Sequence, residues 1–158
     1  MPMESEREPI TSAVAMGKDS LEFLDAAKVL AGKRDASITH IPLALPFYFL
    51  LCHAMELSMK SYLRAKGYND RRLVGIGHSL DECLSAAIGE GLVVAAEFSE
   101  MSGWLNRYHY ENAFRYHKER YLSLPLPHEL IECVEPQVRT TVRAADAIVR
   151  AHLRSLPS

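Results

Sequence analysis

The sequence predicts an all-α fold, an up-and-down antiparallel bundle of four to five helices. Three observations carry that expectation. Apolar residues recur at helical spacing in successive segments, with glycines and prolines falling between them. No stretch holds a convincing strand pattern: the candidate Leu92–Ala96 is short and runs directly into helical spacing. The length of 158 residues suits one domain with a single sizeable core. Residues 1–10 lack periodicity and read as a loose arm, leaving 11–155 as the bundle domain.

The first helix runs from a cap at Thr11 or Ser12 to about Ala31. Val14, Leu21, Leu24, Ala27 and Val29 form its apolar side, while Lys18, Asp19, Glu22 and Asp25 take the wet face. Gly32 ends it, and residues 33–41 form a connection. Pro42 and Pro46 suit the start of a second helix, because proline has no amide hydrogen to lose there. This helix runs to about Lys66 and stops at Gly67. Leu50, Leu51, Ala54, Met55, Leu57, Met59, Tyr62 and Leu63 leave its first half almost without a polar side, the signature of a helix in the middle of a bundle. Lys60, Arg64 and Lys66 place positive charge near its C-terminus, which suits the helix dipole.

Tyr68–His78 reads as a loop. Ser79-Leu-Asp-Glu82 reads as a capping box opening a short helix to about Ile88, closed by Gly89 and Gly91. A fourth helix is expected from Leu92 to about Tyr110, with Phe98, Met101, Leu105 and Tyr108 on one stripe. Pro125 and Pro127 mark a break. The last helical region covers about His128–Ser155, and Pro136 inside it predicts either a kink or two helices.

Composition excludes several function classes. Apolar residues make up 48% and charged residues 24%, as in an ordinary globular domain. A net charge of −2 sets up no global attraction to nucleic acid, so any such binding must use a local patch. The longest apolar run, Ile41–Cys52, contains two prolines and leads at once into His53, Glu56 and Lys60, so no membrane contact is expected. The polar N-terminus is unlike a signal peptide. Cys52, Cys83 and Cys133 are widely spaced among apolar neighbours and read as reduced core residues of a cytoplasmic protein.

The feature that most needs explaining is Glu56, a carboxylate in the middle of the apolar second helix. Left unpaired in a core it would cost several kcal/mol, so partners must exist. Lys60 stands four residues later, in the favourable order for a helical ion pair, and His53 stands three residues earlier. Glu56 is either a satisfied member of a helix–helix seam or the orienter of a ligand-binding Arg or His. His78, just before the capped helix, is either a packing residue or a general base or phosphate donor at a helix N-terminus. In the run 104–121, Trp104, Tyr108, Phe114 and Tyr116 are core or interface aromatics on one reading. On the other, Arg107, Arg115, Lys118 and Arg120 contact phosphates while the tyrosines stack bases. No Glu has a His three residues later, so a helical di-iron site is not expected. Zinc spacing, a Walker loop, a dinucleotide loop and a nucleophile elbow are also missing, and no metal or cofactor is expected.

Ala54, Glu56, Lys60 and Leu63 stand as in the A-x-E-x-x-x-K-x-x-L helix of the HEPN superfamily, which this segment resembles. Gly77-His78-Ser79-Leu80 is similar to that family's Gly- or Thr-His-x-Leu step. Arg115-Tyr116, preceded by Leu105-Asn106 and Tyr108, resembles its Arg-Tyr pair. The resemblance covers roughly residues 12–150. It implies a dimerising helical bundle and brings His78 and Arg115 near Glu56. Many members are RNases or toxins of prokaryotic toxin–antitoxin and abortive-infection systems; others are non-catalytic and bind nucleotides or partner proteins. Catalytic members carry an Arg followed after four to six residues by His near the start of a late helix. Here Arg34–His40, Arg71–His78 and Arg72–His78 have that spacing, but all fall in expected loops. In the region 105–121, neither His109 nor His117 has an Arg at those offsets.

Two functions follow from the resemblance. One is a non-catalytic or degenerate HEPN-like interaction domain, a homodimer binding a partner protein, nucleotide or RNA. The other is a metal-independent RNase using His78 and Arg115, with Glu56 as orienter. In both, Lys60, Arg107, Tyr108, Tyr116 and Lys118 are the candidate binding residues.

Overall fold

The computed structural model describes residues 7–32, 44–110 and 125–157, with the side chains of 7–11 and 44 excepted. Among the described residues the fold is an all-α bundle of six helices: α1 (Arg7–Gly32), α2 (Ala44–Ala65), α3 (Asp70–Ile76), α4 (Leu80–Gly89), α5 (Ala96–Tyr110) and α6 (Pro127–Ser155).

The three long helices α1, α2 and α6 pack on one another, and α4 and α5 close the remaining side of α2. Two hydroxyl contacts fix the direction of α1 against α2. Ser61 Oγ donates to the Ala13 carbonyl at 2.9 Å and Ser20 Oγ to the Ala54 carbonyl at 2.7 Å, so the partner number falls as α1 advances. Those two helices are antiparallel. Lys28 pairs with Glu135 at 2.8 Å and Asp25 with Arg139 at 3.1 Å, which makes α1 antiparallel to α6 as well. It follows that α2 and α6 run in the same direction, the intervening α3–α5 returning the chain to the starting end. Gly17 sits where all three long helices meet. A Cβ there would lie 3.0 Å from Val142 Cγ1 and 3.2 Å from Ser61 Oγ, so the close approach depends on its absence.

As its composition predicts, α2 is the central helix. Leu51, Cys52, Ala54, Met55, Met59 and Leu63 are fully buried, together with Leu24, Leu80, Leu105, Leu130 and Val134 from its neighbours. Gly67, at φ 97°, ends α2 by letting the Tyr68 amide reach back to the Leu63 carbonyl at 3.0 Å.

Four boundaries differ from the sequence expectation. First, α1 begins at Arg7, taking in part of the expected arm; Pro9 lies in its first turn, where a missing amide is tolerated. Second, the expected loop 68–78 contains α3. The Asn69 side chain accepts from the Arg72 amide at 3.0 Å, so a residue that reads as loop punctuation serves as a helix cap. Third, α5 starts at Ala96 rather than Leu92. The buried Gln137 of α6 accepts from the Ala95 amide at 2.9 Å and donates to the Val93 carbonyl at 3.1 Å, satisfying backbone groups that a helix would otherwise have to satisfy. Fourth, of the two alternatives at Pro136, a break into two helices does not occur: α6 is one helix through it. The proline ring faces solvent, while Val134, Gln137 and Val138 are buried against the bundle and hold the segment in register.

Candidate functional site

Glu56 lies at the midpoint of α2, where Met55 and Met59 direct that stretch into the core, and only 2% of its surface is exposed. The carboxylate is held by donors from three directions. Lys60, one turn along α2, donates from Nζ to Oε1 at 2.7 Å. His78, in the connection between α3 and α4, places Nδ1 3.0 Å from Oε1 and 3.3 Å from Oε2. His109, in the last turn of α5, places Nε2 2.9 Å from Oε2. His53 Nδ1 stands further off, 4.0 Å from Oε2, with its ring edge-on to Phe23 and stacked on Phe49. For both closer rings to donate, His78 must carry its proton on Nδ1 and His109 on Nε2.

Burial pushes the Glu56 carboxyl up. The hydrogen bonds from His109 and Lys60, with the charges behind them, outweigh burial and hold it at about 2. The group is therefore an ionised hydrogen-bond acceptor and not a proton donor at neutral pH. Lys60 is equally committed, because its Nζ also donates to the Gly77 carbonyl at 2.6 Å. This second bond ties α2 to the turn that carries His78.

Exposure separates the two histidines. The His109 side chain is 6% exposed and that of His78 is 57% exposed. Their rings meet edge-to-face with centroids 6.4 Å apart. With Nδ1 turned to Glu56, Nε2 of His78 has no partner among the described residues. The site is therefore a buried carboxylate network with one imidazole at the surface.

The N-terminus of α4, next to His78, is already filled. Ser79 Oγ accepts from the Glu82 amide at 3.2 Å, the forward half of the expected capping box. Asn106 of α5 supplies the rest: its Oδ1 accepts from the Leu80 amide at 2.7 Å and the Asp81 amide at 3.3 Å. With Asp81 and Glu82 in the first turn as well, this helix end offers little to an incoming anion. His78 as a phosphate donor would have to act through its own ring.

The other sequence candidates are distributed as follows. Arg107 is exposed on α5, and Tyr108 is half-buried against the main core. Arg115, Tyr116 and Lys118 lie outside the described residues, as do Arg34 and His40. Arg72 stacks its guanidinium 3.4 Å over the Tyr68 ring, on α3 and not in a loop. Cys52 and Cys83 are buried free thiols, the first pushed up by burial and the nearby Glu56, the second pushed up by burial to about 12.

His109 is the site residue that sequence reasoning missed. It has no Arg at the offsets of the Arg-to-His spacing, and its contact with Glu56 spans 53 positions. A signal was available, since His109 follows Leu105 by four residues and shares that residue's buried face. The same long separations leave no metal-ligand spacing in the sequence. A carboxylate oxygen of Glu56, His78 and His109 bring three possible ligand atoms within 4.8 Å of one another, from three different elements.

Among the described residues, no helix is long and apolar enough to cross a membrane. No protein-family model matches the chain, and neither does any curated protein or solved structure.

Proposed function

We propose that this chain is a HEPN-like, non-catalytic interaction domain that acts as a homodimer and binds RNA or a nucleotide. The observation that carries the reading is the closure of Glu56. Lys60, His78 and His109 occupy the carboxylate, and Lys60 is turned inward to the Gly77 carbonyl, so the polar centre is organised as a seam joining three elements. Binding is then assigned to the outer side of α5, where Trp104, Arg107 and Tyr110 recur at three-residue steps. Trp104 is 45% exposed, Tyr110 is 63% exposed, and Arg107 is exposed between them. A cation flanked by aromatic faces suits a phosphate with stacked bases.

Fluorescence anisotropy with a labelled single-stranded RNA and with a labelled adenine nucleotide tests this. Binding is expected in the micromolar range, to weaken at least about fivefold in Arg107→Ala and to fall with salt. The RNA should remain intact. No binding of either probe up to about 100 μM sinks the reading. Light scattering during gel filtration should give twice the chain mass.

A second reading is favoured by the exposed His78 ring, held through Nδ1 by Glu56, the arrangement of a base oriented by a carboxylate. On that reading the chain is a metal-independent RNase. RNA turnover in EDTA that disappears in His78→Ala supports it, and intact RNA with folded protein excludes it.

A further inference from the structure

We propose that Glu56, His78 and His109 form a binding site for a borderline divalent cation of the zinc class. The donor set is two imidazoles and one carboxylate, the combination that leaves a fourth tetrahedral position open on such an ion.

The two edges that meet at Glu56 are close to those required. Around a tetrahedral zinc ion with bonds of about 2.0–2.1 Å, neighbouring ligand atoms stand about 3.3–3.4 Å apart. Glu56 Oε2 lies 3.3 Å from His78 Nδ1 and 2.9 Å from His109 Nε2. All three ligand atoms fall within 4.8 Å of one another. An ion on Oε2 takes the place of two hydrogen-bond protons and needs shifts of only tenths of an ångström along the Glu56–His109 edge. Each neutral ring then becomes the other tautomer, with the proton on Nε2 for His78 and on Nδ1 for His109, and no net proton is released.

Two further features bear on occupancy. His78 is 57% exposed and is the entry side, with water completing the coordination there. Lys60 remains on the other oxygen, Oε1, anchored by the Gly77 carbonyl, so it orients the carboxylate and its positive charge weakens the site. The ligands join the middle of α2, the α3–α4 connection and the end of α5, so the ion would cross-link three elements. The proposal stands apart from RNA binding on the outer side of α5 and needs no catalytic activity.

Isothermal titration with Zn²⁺ and visible absorption with Co²⁺, both on the full chain after EDTA treatment and desalting, test the site. One ion per chain is expected, with Co²⁺ giving intense ligand-field bands of a four- or five-coordinate centre. His78→Ala, at a surface position, should keep its circular dichroism spectrum and lose at least about tenfold in Zn²⁺ affinity. Lys60→Met should bind Zn²⁺ more tightly, because it removes a competing cation. His152→Ala, far along α6, should bind like the parent. Absence of Zn²⁺ binding at micromolar concentration overturns the proposal, as does unchanged affinity in folded His78→Ala. Weaker binding in His152→Ala than in His78→Ala would show an adventitious surface site and overturn it equally.

Discussion

His109 Nε2 lies 2.9 Å from Glu56 Oε2, joining the last turn of α5 to the middle of α2 across a nearly solvent-free seam. The contact gives a buried carboxylate one of its three close donors. It also fixes how α5 lies against the central helix, because an imidazole at that depth has few other places to put its proton. The same carboxylate binds His78 at the surface. The two histidines therefore share one partner but differ in what their loss leaves behind.

Substituting them should separate those situations. His109→Ala removes a donor from a buried anion in a place water does not easily refill, and should cost on the order of 3 kcal/mol. His78→Ala opens its contact to water and should cost about 1 kcal/mol. Urea unfolding of metal-free protein checks the order; equal losses would mean that water reaches the seam.

Acid should release the network in a defined window. The folded Glu56 carboxyl sits at about 2, below an unfolded value of about 4.3. Its contribution is therefore fully present above the unfolded value and is lost as pH falls from there towards 2. The total is on the order of 3 kcal/mol. Stability of the EDTA-treated protein should drop through that window, and Glu56→Gln should be less stable at neutral pH yet show a flatter acid limb.

Asn106 should matter more than a polar residue on a short helix suggests. It caps the Leu80 and Asp81 amides from another element and donates to Asp81 Oδ2 at 3.0 Å. Asn106→Ala should cost about 1–2 kcal/mol. Hydrogen exchange at the first amides of α4 should accelerate, while exchange in the centre of α2 should change only as global stability does.

The thiols should divide by burial. Cys52 and Cys83 are buried and their ionisation is pushed up, so alkylation at pH 8 should spare them in the native protein. Cys133, on α6, is partly exposed, and although its ionisation is also pushed up it should be the thiol that labels. Mass spectrometry of protein labelled before and after unfolding distinguishes one modified cysteine from three.

Gly17 should tolerate no large side chain. Gly17→Leu would drive atoms into Val142 and Ser61 at the three-helix contact and should cost about 2–3 kcal/mol, read as a lower urea midpoint with an unchanged slope.

Much of this architecture was legible in the sequence because the information is local. The apolar perimeter of α2 named the central helix, Gly67 named its end, and Ser79 named the cap of α4; each depends on residues within a turn or two. The carboxylate problem at Glu56 is legible too, since burial without partners is unaffordable. Helical spacing points to Lys60, which bonds it, and to His53, which stands off at 4.0 Å. His78 and Arg115 follow only from the family resemblance, and of these His78 bonds Glu56 while Arg115 lies outside the described residues. The remainder depended on contacts between distant positions. Asn69 reads the same as loop or as cap until the helix after it exists. The start of α5 was decided by Gln137, more than forty positions away, and the continuity of α6 by packing that outweighs the hydrogen bond lost at Pro136. His109 belongs in this second group. The sequence by itself determined that Glu56 required donors, because a buried charge must be neutralised. Only the tertiary structure decided that a second histidine would be among them, because which side chains meet at one carboxylate is set by how α2, α5 and the α3–α4 connection pack.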